Sequence, residues 1–197
     1  MNKYTFGAAM AALALAIPAA APAQKTPGAA IVVVDIERVY QECTACRAAN
    51  TQLQTQLQQI QQRAQQLAQP IQTEGTAIET AIRALNGKQP DAALQARITA
   101  LQTKQNQGNQ EIQGREQTLR STQANVAQQI NARLNPIINQ VMTARGANLA
   151  LDVNSTLARA QALDVTNDVL AQLNQQLPSV TVAPLPQGQQ PARPQGR

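Results

Sequence analysis

The sequence contains no His and no Trp, and only two Tyr and one Phe occur among its 197 residues. Without His, a mechanism that needs an imidazole base or a His metal ligand is excluded. Aromatic residues make up 2% of the chain, which is too little for a large core built on aromatic side chains. No nucleophile–base pair is apparent either. We therefore expect no catalytic site, no metal, no cofactor and no enzymatic activity.

Charged residues are also scarce, at 14% of the chain, whereas Gln and Ala are abundant, with 33 and 36 copies. Both residue types favour helices and have little preference for strands. The composition therefore predicts long helices rather than a compact enzyme.

The N-terminus has the pattern of a secretory signal peptide. Lys3 precedes an apolar run over residues 7–17, which is too short for a stable membrane span, and Ala21-Pro22-Ala23 has the A-x-A form of a cleavage site. A membrane anchor is the alternative interpretation. We predict a signal peptide over residues 1–23, cleaved after Ala23, and export to a compartment that permits disulfides.

The middle of the chain has the spacing of a coiled-coil hairpin. Two seams alternate steps of four and three residues and are separated by a helix-breaking cluster at residues 86–91. The first seam runs through Leu53, Leu57, Ile60, Ala64, Leu67, Ile71, Glu74, Ile78, Ala81 and Leu85. The second runs through Leu94, Ile98, Leu101, Gln105, Gly108, Ile112, Arg115, Leu119, Thr122 and Val126. An antiparallel helical arm over residues 47–145 follows, with its tip near 86–91 and with kinks at Pro70 and Pro136.

Short apolar segments on both sides of the arm predict a small β-rich body made from both chain ends, residues 24–46 and 146–177. The expected strands contain Ile31, Val32, Val33 and Val34 on one side and Leu149, Leu151 and Val153 on the other. A further short strand is expected at 156–161, an amphipathic helix at 164–177 and a disordered Pro- and Gln-rich tail at 178–197. The fold class is mainly α with a small β body (α+β), and the strands are expected to serve oligomerisation because the body is too small to hold a long arm alone.

The charge is unevenly distributed. The body has three basic and six acidic residues, whereas the arm has ten basic and five acidic residues. Near the tip, Arg83, Lys88, Arg97 and Lys104 are expected to face only Asp91. Such a tip could contact acidic clients or, transiently, an anionic membrane surface, or it could be a solvated helix end. Nucleic acid is a poor candidate partner because the net charge is modest and the arm has no aromatic residues to stack on bases.

Cys43 and Cys46 form a C-x-x-C motif whose role the sequence leaves open. A thioredoxin-like redox pair would need a βαβ context, and a metal site would need ligands that this chain does not have. Both Cys also fall in phase with the first seam, so they could be small buried side chains. A disulfide, local or between subunits, and free buried thiols remain the alternatives, and a local bridge would require a non-helical bend.

The order of these segments resembles the Skp (OmpH-like) family of periplasmic chaperones. The resemblance rests on Ala30-Ile31-Val32-Val33-Val34-Asp35 with Val39-Tyr40, on the two long helices, on Leu149-Ala150-Leu151-Asp152-Val153-Asn154, and on Asp164-Val165-Thr166-Asn167-Asp168-Val169-Leu170. It implies a homotrimer in the periplasm whose arms enclose a cavity and hold unfolded outer-membrane proteins without ATP. A structural hairpin adaptor of a cell-envelope assembly is the alternative function.

Overall fold

The computed structural model describes residues 28–186. The expected signal peptide at 1–23, its cleavage site after Ala23, and residues 187–197 of the expected tail lie outside the described residues. Within this range the order is β1 (Ile31–Val34), α1 (Ile36–Glu42), α2 (Thr44–Ala84), α3 (Ala92–Ala144), β2 (Leu149–Asp152) and α4 (Thr166–Gln176). Short 3-10 turns at Val153–Ser155 and Gln161–Leu163 join β2 to α4. The chain is mainly helical with a small sheet, which confirms the fold class at this level.

Helices α2 and α3 form a long antiparallel hairpin, hereafter the arm. The turn between them uses Asn86 and Gly87 with φ angles of 48° and 85°, a left-handed conformation that Asn and Gly adopt most readily. Asp91 then caps α3, since its carboxylate accepts a hydrogen bond from the Leu94 amide at 2.8 Å. With 41 residues at 1.5 Å each, α2 is about 60 Å long. Both helices continue through their internal prolines, Pro70 and Pro136.

The sheet consists of β1 and β2 in parallel, with Ile31 opposite Leu149 and Val34 opposite Asp152. Parallel strands cannot be joined by a tight turn, so a crossover must separate them, and here the whole arm is that crossover. Just beyond the last residue of α3, Gly146 has a φ of 66°, which permits the paired hydrogen bonds of a Schellman motif: Gly146 N to Thr143 O and Ala147 N to Met142 O. The motif turns the chain directly into β2.

One hydrophobic core lies where the two chain ends meet the base of the arm. It combines side chains from β1, α1, the last third of α3 and α4. Its fully buried members include Val34, Val39, Cys43, Leu134, Ile137, Val165, Val169 and Leu173. Because the core draws on residues from both sides of the arm, it can form only after the hairpin has brought the two ends together.

Thr166, the first residue of α4, connects this helix to the start of α1 by hydrogen bonds. Its buried hydroxyl accepts a hydrogen bond from the Asp35 amide at 2.9 Å and donates to the Asp164 carboxylate at 2.5 Å. Burial raises the pKa of the Asp164 carboxyl, but hydrogen bonds from Thr166 and Arg159 outweigh burial and lower this pKa from 3.8 to about 2. The Val165 amide donates to Val33 O at 2.9 Å, beside a parallel bridge between Val33 and Asp164. These contacts extend the sheet by one residue pair.

Three expectations about the second half of the chain are wrong. Val153 lies in a 3-10 turn rather than in a strand, because the Asp152 carboxylate accepts from the Asn154 amide and turns the chain. Residues 156–161 form no strand. The first nine residues of the tail expected to be disordered, 178–186, pack on α3, with Leu185 buried and with Val180 and Val182 against the core.

We predict that Thr166→Val lowers the free energy of unfolding by about 1–3 kcal/mol, because the change leaves the partly buried Asp35 amide without its acceptor at almost unchanged shape. Urea unfolding followed by circular dichroism measures the effect. Thr143→Val is the matched control, since the exposed Thr143 hydroxyl bonds only the Asn139 carbonyl one turn earlier. The control should change stability by less than about 0.5 kcal/mol. Equal losses in the two variants would contradict the role assigned to Thr166.

Candidate functional site

The tip of the arm is less basic than the sequence predicts. Arg83 forms an ion pair with Glu79, and Arg97 forms one with Glu74 at 2.8 Å. The expectation that the four cations face only Asp91 is therefore wrong, because intrahelical and cross-arm acidic residues neutralise two of them. Asp91 itself is engaged as the cap of α3. The stretch from residue 74 to residue 104 has four basic and three acidic side chains, so its net charge is only +1.

Lys88 and Lys104 are the tip cations for which the structure shows no ion pair within 4 Å, among the residues described. Lys88 lies in the turn, and Lys104 lies more than two turns into α3. A carboxylate or phosphate at the tip would therefore meet these two ammonium groups before the guanidinium groups, which already have partners.

An ionic cluster joins the two helices near the middle of the arm. Arg63 of α2 donates two hydrogen bonds to Glu111 of α3, at 2.8 and 3.0 Å, and Arg115 donates a third to the same carboxylate. The hydrogen bonds from Arg63 and then Arg115 lower the pKa of Glu111 from 4.5 to about 2, against an opposing contribution from desolvation. Glu111 is therefore an anion at every pH above about 3, and it holds α2 against α3.

The polar members of the predicted seams have a role that the sequence analysis missed. Glu74 pairs with Arg97 across the arm, and the Arg97 hydrogen bond lowers the pKa of Glu74. Arg115 turns toward Glu111 instead of entering the seam. Opposite charges at facing positions of α2 and α3 could have predicted the cross-arm pair. Which positions face each other is known only when the register of the hairpin is known.

Between these two cross-arm pairs lies an open groove with a volume of about 620 Å³. Leu67 and Ile71 form its apolar floor against Gly108, and Gln, Asn and Glu side chains form its rim. A Cβ on Gly108 would meet Leu67 and Ile71 at 3.8 and 3.9 Å, which is ordinary contact. The floor is thus apolar but loosely filled, and the rim is almost uncharged.

Two large apolar side chains of α2 are exposed on the arm. Leu57 and Ile82 are each 44% exposed. The assignment of Leu57 to the seam is wrong, since its neighbour Ile60 supplies the buried contact at that level. The seam residues that are buried are Ile60, Ile78, Leu94, Gly108, Leu119, Thr122 and Val126. The arm therefore presents apolar surface that the hairpin does not use.

Three large apolar side chains of the body are exposed, one in β2 and two in the segment that joins β2 to α4. Leu149 and Leu163 are 42% and 38% exposed, and Leu157 is fully exposed. Of the predicted oligomerisation residues, Val32, Val33 and Val34 are buried within the chain, whereas Ile31, Leu151 and Val153 are half-buried. Leu157, which the sequence analysis did not single out, is the most exposed large apolar residue of the body.

Cys43 and Cys46 are joined as a local disulfide, with their Cα atoms 5.1 Å apart. Both side chains are buried in the core, at the break between α1 and α2. The bend expected for a local bridge is present, since Cys43 has a ψ of 130° and α2 begins at the next residue. The bridge therefore lies where the arm leaves the body.

The described part of the chain contains no group of three or more His, Cys, Asp or Glu that could hold a metal ion. From residue 28 to residue 186, no helix combines the length and apolar character needed to cross a bilayer.

Comparison with known proteins identifies a family and similar solved structures. The sequence profile of the family described as "Outer membrane protein (OmpH-like)" matches residues 30–173. A crystal structure from Caulobacter crescentus CB15, provisionally described as an outer membrane chaperone (OmpH-like), matches with a TM-score of 0.66 and 22% sequence identity. The match covers 86% of this chain and 100% of that chain. No curated protein gives a significant match.

We predict that Glu111→Gln loosens the arm at neutral pH, because it removes the anion that binds Arg63 and Arg115. The pKa of Glu111 is lower in the folded protein than in the unfolded chain. Its contribution to stability is therefore complete above about pH 4.5 and is lost as the pH falls toward 2. Thermal unfolding between pH 2 and pH 7 should show a smaller acid-induced loss in the variant than in the wild type.

Glu116→Gln is the matched control, since Glu116 is on the same helix and approaches only Arg120 of its own helix, at 3.9 Å. Identical pH profiles for wild type and Glu111→Gln, or a larger effect of Glu116→Gln, would refute the assignment.

Proposed function

Because the chain belongs to the OmpH-like outer membrane protein family, we propose that it is an ATP-independent chaperone of the periplasm. It binds unfolded outer-membrane proteins in a cavity between helical arms and prevents their aggregation. The observation that carries the proposal is the long arm on a small body, with exposed apolar side chains that the arm's own packing does not use. The Caulobacter protein of the same fold, described as an outer membrane chaperone, is consistent with it.

The arm has the chemistry that a holdase needs. An unfolded client offers many different segments, so it is held by numerous weak and adaptable contacts rather than by one shaped pocket. Leu57 and Ile82 supply exposed apolar area, and the groove over Gly108 adds a loosely filled apolar floor with a nearly uncharged rim. Such surfaces bind apolar segments without demanding a particular sequence. They need no cofactor and no reaction, so we assign no enzymatic activity.

The predicted signal peptide supports a periplasmic location. Cleavage after Ala23 would release the body and arm into an oxidising compartment, where a disulfide between Cys43 and Cys46 persists. The tip retains a basic pair, Lys88 and Lys104, for a transient contact with anionic lipid headgroups, worth about 1 kcal/mol for each cation. This contribution is weaker than four free cations would give. Nucleic acid is not a proposed partner.

We further propose a homotrimer, in which three arms surround the client. Among the described residues the sheet has only two strands, and exposed apolar side chains occur in β2, at Leu149, and in the segment that joins β2 to α4, at Leu157 and Leu163. An open strand edge and exposed apolar side chains are features that a second copy covers. A monomeric arm would have no enclosed space for a client.

We predict that the mature protein suppresses aggregation of a urea-unfolded outer-membrane β-barrel protein after dilution, without ATP, as measured by light scattering. The double variant Leu57→Ser/Ile82→Ser should suppress several-fold less, because it removes exposed apolar area that is not needed for the hairpin. Ala77→Ser, at an exposed position of the same helix, is the matched control and should behave as wild type. Equal scattering with and without the wild-type protein would reject the chaperone and favour the structural adaptor.

We also predict that native mass spectrometry gives a mass of three mature chains, and that Leu157→Asp shifts this mass toward the monomer. Leu157 is fully exposed in the single chain, so the substitution should leave the fold intact, and an effect on mass would report a contact between copies. Leu57→Ser, on the arm, should remain trimeric. A monomeric wild type would overturn the proposed architecture.

A further inference from the structure

The segment at residues 178–186 is held to α3 by hydrogen bonds between side chains of the helix and its backbone. The Gln129 amide pairs with both backbone groups of Thr181, accepting from its N–H and donating to its carbonyl, each at 2.9 Å. The Asn125 amide donates to the Ala183 carbonyl at 2.9 Å. The Ser121 hydroxyl accepts from the Leu185 amide at 3.0 Å. We call Ser121, Asn125 and Gln129 the polar ladder.

The spacing of the polar ladder matches the repeat of a strand-like peptide. Its members are four residues apart, which is 6 Å along a helix, whereas two residues of an extended chain advance about 6.6 Å. A bend at Ala183 shortens the segment, so its repeat approaches the 6 Å repeat of the helix. Alternate residues of the segment, 181, 183 and 185, therefore present their backbone groups to successive turns of α3, as one edge of a strand would to a neighbouring strand.

The polar ladder forms its hydrogen bonds with the backbone of the segment and not with its side chains. All four of these hydrogen bonds end on backbone atoms, which every peptide except one with proline at residue 181 or 185 offers. The side chains contribute only apolar burial: Leu185 is 7% exposed, and Val180 and Val182 pack against the core. A site of this kind accepts any segment that is strand-like and apolar at about every second residue.

We propose that the polar ladder is a binding site for extended apolar segments of unfolded client chains, and that residues 178–186 occupy it until a client segment displaces them. This inference rests on the proposed chaperone function and identifies one site for it. Membrane-spanning strands of outer-membrane proteins alternate apolar and polar residues, which is the pattern that such a site accepts. The chain's own segment thus competes with the client and keeps the apolar base of the arm covered in its absence.

A binding experiment with two truncated chains tests the site directly. One chain ends at Leu177 and lacks the segment, whereas the control ends at Pro186 and keeps it. A fluorescently labelled peptide of residues 178–186 should bind the first chain at least about tenfold more tightly, since in the control the site is occupied. A urea-unfolded outer-membrane protein, added by dilution, should displace this peptide. Equal binding to both chains would overturn the proposal.

Two substitutions in the full chain keep the test independent of truncation. Thr181→Pro removes the N–H that Gln129 accepts, so it should release the segment and tighten client binding about fivefold. Thr181→Ala keeps that N–H and should leave binding unchanged. Gln129→Ala, made in the chain that ends at Leu177, should instead weaken client binding. If Thr181→Pro and Gln129→Ala change client affinity in the same direction, the segment is only a structural strap and the proposal is wrong.

The failure of the site and the failure of the function give different results. If the wild type suppresses aggregation but the client does not displace the peptide, the chaperone function stands and the polar ladder is not a client site. If the wild type does not suppress aggregation at all, the chaperone function itself is rejected.

Discussion

The parallel pairing of β1 with β2 is the constraint on which the rest of the structure depends. Two four-residue strands, 118 positions apart in sequence, must lie side by side, and no turn can join parallel strands directly. The arm is the connection that makes this pairing feasible, and the body exists only because the arm returns its chain to the starting point. The Schellman motif at Gly146 and the Thr166 contacts to Asp35 and Asp164 then close the body around β1. Stability is therefore concentrated at the base, where the core lies.

Away from the base, a narrow seam and a few charges hold the arm together. The buried seam residues are spaced out by partly exposed ones, and three glycines interrupt helical stretches that alanine would stabilise. The cross-arm pairs of Arg63 with Glu111 and of Glu74 with Arg97 fix the register more than they add stability, because exposed ion pairs contribute little. Because the register of α2 and α3 is well defined but the packing between them is weak, the arm can deform around a client and then return to the same structure.

Features encoded locally could be predicted from the sequence, and features that depend on register could not. Asp35 and Asp91 cap helices, and Gly146 ends one, because each acts within four residues of its own position. The pair of Arg83 with Glu79, one turn earlier, is local and was predictable. The partner of Arg97 was missed because it is Glu74, 23 residues away, and meets Arg97 only once the chain folds about the turn at 85–91. Residues 178–186 were misjudged for another reason. The average composition of the last twenty residues hides the apolar positions Val180, Val182 and Leu185 that pack on α3.

The contact of Gln129 with Thr181 suggests why charged side chains are scarce in this chain and neutral amides are abundant. A carboxylate or an ammonium can satisfy only one kind of backbone group, whereas an amide both donates and accepts, and Gln129 engages the N–H and the carbonyl of one residue at the same time. Backbone groups are what unfolded chains of different sequence have in common. A surface of neutral amides beside apolar side chains can therefore bind the backbone of an unfolded chain whatever its sequence. Such a surface also avoids the desolvation cost that charged side chains would add.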